Sequence, residues 1–152
     1  HLATQFADRT VSRQYVALAW GVIHENERLI EGDIGRSPRD RTLRAIVRSG
    51  GKYAATEVTV QERFLFATLI TCKLRTGRTH QIRVHMASLG HPLVGDRLYG
   101  GARHDLIDRQ ALHAFHLSFN QPMTGKALRF ESPLPADMQS LLTAWGLKNP
   151  LG

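Results

Sequence analysis

The run at residues 13–22 limits the fold more than any other feature of this sequence. Tyr15, Ala17 and Ala19 alternate with Val16, Leu18 and Trp20, so an extended chain here is apolar on both faces. Such a strand belongs inside a sheet that is covered on both sides. Gly21 and the polar run at 26–28 end it. Further strands of a sheet are expected at 42–47, 54–61 and 64–74, with Gly50-Gly51 joining the first two. Residues 32–41, holding two glycines and Pro38, read as a loop.

The clearest helix is predicted over 79–89. Thr79 is placed to cap it, Ile82, Met86 and Leu89 fall on one face, and Gly90 with Pro92 stops it. A Gly-rich loop follows over 95–101. Alternation resumes at 111–119, and 127–131 is its expected hairpin partner across a turn at 122–125. Pro135 then opens a second helix whose Met138, Leu141, Leu142 and Trp145 form an apolar stripe closed by Gly146. Many strands with few helices predict an α+β fold with a mostly antiparallel sheet. With 152 residues and no repeat or linker, one globular unit over 1–152 is expected.

Charge points to the partner. Lys plus Arg number 20 against 13 acids, a formal charge of +7, and only Lys52, Lys73, Lys126 and Lys148 are lysines. The excess is therefore arginine, whose planar fork binds phosphate at two points and stacks on bases, which favours a nucleic acid. Between Arg63 and Gly95 there is no acid at all, yet Arg63, Lys73, Arg75, Arg78 and Arg83 all lie there. A strand carries basic side chains into a Gly turn and then into a helix N-terminus, the arrangement of an anion site. Arg83, roughly 100° around the helix from core-facing Ile82, can reach sideways into a cleft as a partner for a carboxylate. The bland alternative, arginines solvating a helix face, lacks the i, i+4 acids that usually balance such a face.

Other constellations carry less. His80, His85 and His91 are five and six residues apart, which puts no two imidazoles on one helical face and argues against a metal site. No nucleophile turn surrounds Ser88, so a triad with His91 and Asp96 is discarded. Tyr15 reads equally as a core tyrosine or a site residue, and His113 as a core or cleft-lining residue. Arg36, Arg39, Arg41, Arg44, Arg48 and Lys52, opposed only by Asp40, form a second basic run that either tracks a phosphate backbone or keeps an edge solvated. Cys72 lies in an apolar run and reads as a buried thiol in a reducing compartment. No stretch of 18 apolar residues and no secretory opening are found, so the cytoplasm is expected. The opening at His1, with Leu2 and Phe6 one helical turn apart, reads as a chain cut from a longer one.

At Thr76-Gly77-Arg78-Thr79-His80-Gln81-Ile82-Arg83-Val84-His85, then Gly90-His91-Pro92-Leu93-Val94-Gly95-Asp96 and Leu98-Tyr99-Gly100, the sequence resembles the RluA/RluD family of RNA pseudouridine synthases. The likeness extends through Tyr15-Val16-Ala17, Ile34-Gly35-Arg36 and Gly51-Lys52 to Asp108-Arg109-Gln110-Ala111-Leu112-His113-Ala114, and is strongest with the RluD branch, which acts on large-subunit ribosomal RNA. The resemblance implies the C-terminal part of that family's catalytic fold. It implies an isomerase that detaches uracil from ribose, turns the base and rejoins it through carbon, without cofactor or metal. It implies that Tyr15 packs on the target base and Arg83 pairs with a nucleophilic aspartate. Arg78, Thr79, His80 and Gln81 match the RNA-facing first turn, and Arg36, Lys52, Lys73 and His113 complete the expected RNA contacts.

One element of the pattern is missing. The family's nucleophile lies in a His-Arg-Leu-Asp string, which this sequence lacks, and none of Asp8, Asp33, Asp40, Asp96, Asp105, Asp108 or Asp137 stands where the family keeps it. The expectation is a fragment inactive by itself and prone to self-association. The competing expectation is a non-catalytic basic RNA-binding module, which has no need of Tyr15 and Arg83 on one wall of a pocket.

Overall fold

A computed structural model describes residues 11–120, 127–131 and 134–146, with side chains over 14–114 and 134–146. Six antiparallel strands make the main sheet: β1 (Val11–Trp20), β2 (Glu27–Glu31), β5 (Ala55–Arg63), β6 (Ala67–Leu74), β7 (Leu112–Asn120) and β8 (Ala127–Glu131). Their order is β2-β5-β6-β1-β7-β8, while β3 (Ile34–Arg36) and β4 (Arg44–Ile46) pair separately as a small hairpin. The fold is α+β, as the pattern predicted. The expected helix end near Leu2 and Phe6 and the turn at 122–125 lie outside the described residues.

β1 is central because it can be buried on both faces. Val16 and Leu18 pack with Leu69, Met138, Leu141 and Leu142 beneath helix α2 (Ala136–Ala144). Ala17 and Ala19 pack with Ile70, Cys72, Ile82 and Met86 beneath helix α1 (Gln81–Ser88). The thiol of Cys72 is sealed there, and burial pushes it up to about 12. Trp20 and Phe64 lean on Trp145 at 6.1 and 5.5 Å between ring centres.

Three expectations change. The polar segment after β1 forms edge strand β2, since an edge needs one inward residue, Ile30, and leaves its neighbours in water. The predicted loop over 32–41 contains β3, and the strand expected at 42–47 leaves the main sheet to pair with it. Thr79 does not cap α1: the N-cap is His80, with φ 56 and no side-chain cap. The helix is buried on several sides, Val84 packing with Ile34 and Ala54 under the hairpin, so it shows little amphipathic stripe.

Candidate active site and nucleic-acid interface

Tyr15 is delivered by an irregularity in the sheet. The β1–β7 register shifts between Gln14 and Tyr15, and a bulge of this kind re-aims a side chain at the edge of a site. Tyr15 lines a cavity of about 270 Å³ with Leu74, Ile82 and Leu112 as apolar floor and Arg78, His80, Arg83 and Gln110 as polar rim. The two residues singled out for chemistry, Tyr15 on β1 and Arg83 on α1, thus border the same cavity.

Arg83 is fixed from behind. Its Nε and Nη2 each donate to a carboxylate oxygen of Asp96 at 2.9 Å, and Asp96 is only 1% exposed. The Tyr99 ring lies 5.1 Å beneath the guanidinium carbon, a cation–π contact. The Asp96 hydrogen bonds push the Arg83 pKa up, so the guanidinium stays charged despite burial. The loop that holds Asp96 and Tyr99 in place is close-packed: a Cβ on Gly101 would collide with the Leu93 carbonyl oxygen.

His80 is, among the described residues, the one non-glycine with positive φ, a conformation found at functional sites more often than elsewhere. Its Nδ1 lies 2.6 Å from the Tyr99 hydroxyl, which already accepts the Arg44 backbone N–H at 3.0 Å. The Tyr99 hydroxyl thus ties the His80 ring to the Arg44 backbone. Burial, then the Arg83 charge, lowers the His80 pKa and keeps the ring neutral.

Gln81 is 3% exposed and builds the turn instead of meeting solvent. Its Oε1 accepts from Thr76 Oγ1 (2.7 Å) and the Arg78 N–H (3.0 Å), and its Nε2 donates to the Ala55 carbonyl and Thr56 Oγ1, both 2.9 Å. Thr56 Oγ1 continues at 2.8 Å to Nδ1 of buried His85, whose Nε2 reaches the Gly32 carbonyl at 3.2 Å. Arg78 is steered by its Nε bond to the Tyr53 carbonyl.

A second cavity of about 350 Å³ adjoins the first, lined by Arg36, Arg44, Lys52, Arg78 and Thr79 with Gly50 and Gly77. Arg78 lines both cavities. Of the other candidate residues, Lys73 is exposed on β6 opposite Glu57, and His113 is half-buried on β7 opposite Val16; neither lines either cavity. Sequence reasoning missed Asp96 and Tyr99 as parts of the site. Both lie in the Gly95-Asp96 and Leu98-Tyr99-Gly100 strings that carry the resemblance, and Asp96 is the first acid after the acid-free window.

The family model described as RNA pseudouridylate synthase matches residues 1–88. The chain is 46% identical to ribosomal large subunit pseudouridine synthase D of Neisseria meningitidis serogroup A, over 97% of this chain and 42% of that protein. It is 47% identical to the protein of the same name from Nitrosomonas europaea, over 94% of this chain and 43% of that one. The structure of human RNA pseudouridylate synthase domain containing 1 superposes with a TM-score of 0.71 at 31% identity, covering 94% of this chain and 69% of that one. The chain spans less than half the length of these bacterial relatives.

Proposed function

This chain belongs to the RNA pseudouridylate synthase family, and on that premise we propose that it forms one wall of an active site converting uridine to pseudouridine in RNA. The observation that carries this reading is the shared cavity: Tyr15 and the Asp96-braced Arg83 border one opening. With Nε and Nη2 turned to Asp96, the Nη1 edge of Arg83 makes no hydrogen bond among the described residues. A second carboxylate can approach that edge while Asp96 holds the other.

That second carboxylate is the nucleophilic aspartate, supplied by polypeptide beyond these 152 residues. The target base leaves its stack and enters the cavity, where the Tyr15 ring packs on its face and the apolar floor excludes water. The aspartate acts while the N1–C1′ bond breaks; the freed uracil turns; a C5–C1′ bond forms, C5 gives up its proton to solvent, and N1, freed from the ribose, takes one up. No atoms are gained or lost overall. Arg83 keeps the aspartate ionised and aimed, and the His80 ring borders the cavity without adding charge.

Arg78 and Thr79 contact the phosphate backbone, with Arg36 and Lys52 extending the track and Lys73 and His113 lying further out. Gln81 serves RNA indirectly, by shaping the turn that carries Arg78. Large-subunit ribosomal RNA is the proposed substrate, in keeping with the names of the relatives, and the cytoplasm is the proposed compartment. No described helix is long and apolar enough to cross a membrane. Alone, the chain is inactive and self-associates through apolar surface that the remainder of the catalytic domain would cover.

The test is to supply the polypeptide carrying the aspartate and assay release of the uracil C5 hydrogen from ribosomal RNA. Release is expected from the completed protein and not from the 152 residues. Failure of the completed protein on every RNA tried would reject the isomerase reading.

A further inference from the structure

The second cavity gathers positive charge with no carboxylate among the described residues that line it. Arg36, Arg44, Lys52 and Arg78 converge on about 350 Å³ of space. Among the described residues none of the four forms an ion pair; those found involve Arg28, Arg75, Arg83 and Arg109. Arg36 Nη1 and Arg78 Nε are steered by the Arg41 and Tyr53 carbonyls, both at 2.8 Å, so these guanidiniums are oriented, not merely solvated. Arg44 adds to this: its Nη1 is buried and has no hydrogen-bond acceptor among the described residues. A buried, charged donor without a partner is costly, and so is crowding four like charges. An anion seated in the cavity offsets the crowding and, through space, the buried charge of Arg44.

The walls fit an oxyanion with several acceptor oxygens. Gly77 and Gly50 have open space where a Cβ would stand, so the backbone presents itself closely to a ligand. Thr79 lies beside them, just before α1, whose first turn carries no acid to repel a negative charge. Because Arg78 borders both cavities, an anion in the second sits next to a base in the first. A polynucleotide supplies that pair of groups together.

We propose that the second cavity is a phosphodiester subsite, in which Arg44, Lys52, Arg36 and Arg78 hold one backbone phosphate of the strand whose uridine occupies the Tyr15–Arg83 cavity. The proposal rests on the uridine isomerase reading and adds to it a fixed path for the neighbouring nucleotides.

The test uses the completed protein and a single-stranded RNA containing the target uridine, with uncharged methylphosphonate linkages introduced one at a time. Neutralising one linkage close to the target should weaken wild-type binding about tenfold, the scale of a charge-assisted hydrogen bond. Lys52→Gln and Arg44→Gln should each weaken binding of the unmodified RNA, lower the salt slope by about 0.7 for each phosphate no longer neutralised, and make the same neutral linkage nearly harmless. Lys52 is exposed, so its variant keeps the test valid if Arg44→Gln does not fold. Wild-type affinity and slope in Lys52→Gln, or equal interference at every linkage, would overturn the subsite while isomerisation by the wild type kept the parent reading intact. A wild type that neither binds nor isomerises RNA would remove both.

Discussion

Arg83 and Asp96 form a two-point ion pair, 2.9 Å at each contact, in which the carboxylate is almost wholly buried while Arg83 lines the cavity. A buried charge that loses its partner is strongly destabilising, by roughly 3–5 kcal/mol. Asp96→Ala should therefore lower stability by that order in urea unfolding. Removing Glu57, the partner of Arg75 in an exposed pair, should change little. Equal small effects would mean that Asp96 does not hold Arg83 in solution.

Arg78→Ala should act on binding, because its side chain borders both cavities without touching Asp96. RNA affinity should fall and the slope of log affinity against log salt should flatten by about 0.7–0.9, with turnover at saturating RNA nearly retained. A loss of turnover as large as the loss of affinity would contradict this division between Arg78 and Arg83.

Gln81→Leu keeps the side-chain volume but strips four hydrogen bonds. Each buried group left unsatisfied costs roughly 1–3 kcal/mol, so denaturant titration should show a clear loss. RNA affinity should fall with it, since the Arg78 N–H loses its anchor. Unchanged affinity in a folded Gln81→Leu protein would separate the turn from RNA binding.

These side chains also mark how far the sequence could be read. β1 was legible because two-sided burial leaves an unbroken apolar run, and α1 because a helix between a Gly turn and Gly90-His91-Pro92 has clear ends. The basic window located the site and helix geometry offered Arg83 to a carboxylate, while the resemblance chose the site role for Tyr15 over the core one. Asp96 was illegible as the partner of Arg83: it is 13 residues away, on a loop with no periodicity, and an ion pair across a fold leaves no local pattern. The same holds for Tyr99, which joins Arg44, His80 and Arg83 through interactions that span up to 55 residues. β2 was hidden because an exposed edge strand and a polar loop have similar composition. The backbone of His80 and the latch of Gln81 are decided by tertiary interactions that outweigh the capping preference of Thr79.

Stability should depend on pH through His85, whose pKa burial lowers below its ordinary 6.5. The unfolded chain then binds a proton before the folded one does, so stability is complete above about 6.5 and declines as pH falls from there toward the folded-state value. His80, lowered by burial and by Arg83, acts in the same direction. Denaturant titrations between pH 8 and 5.5 should show this decline, reduced in His85→Gln. A wild-type profile that is flat, or that rises on acidification, would contradict the neutral buried imidazoles.

The most direct test of the account is a single-turnover measurement of C5-hydrogen release by the completed protein carrying Arg83→Ala, at saturating RNA. A group that aims and ionises the nucleophile contributes to the rate of the step and not to uniform binding. The predicted result is a rate lowered by about 100-fold or more, on the scale of lost electrostatic stabilisation, with RNA affinity within a few-fold of wild type. Wild-type turnover, or a loss confined to affinity, would contradict it.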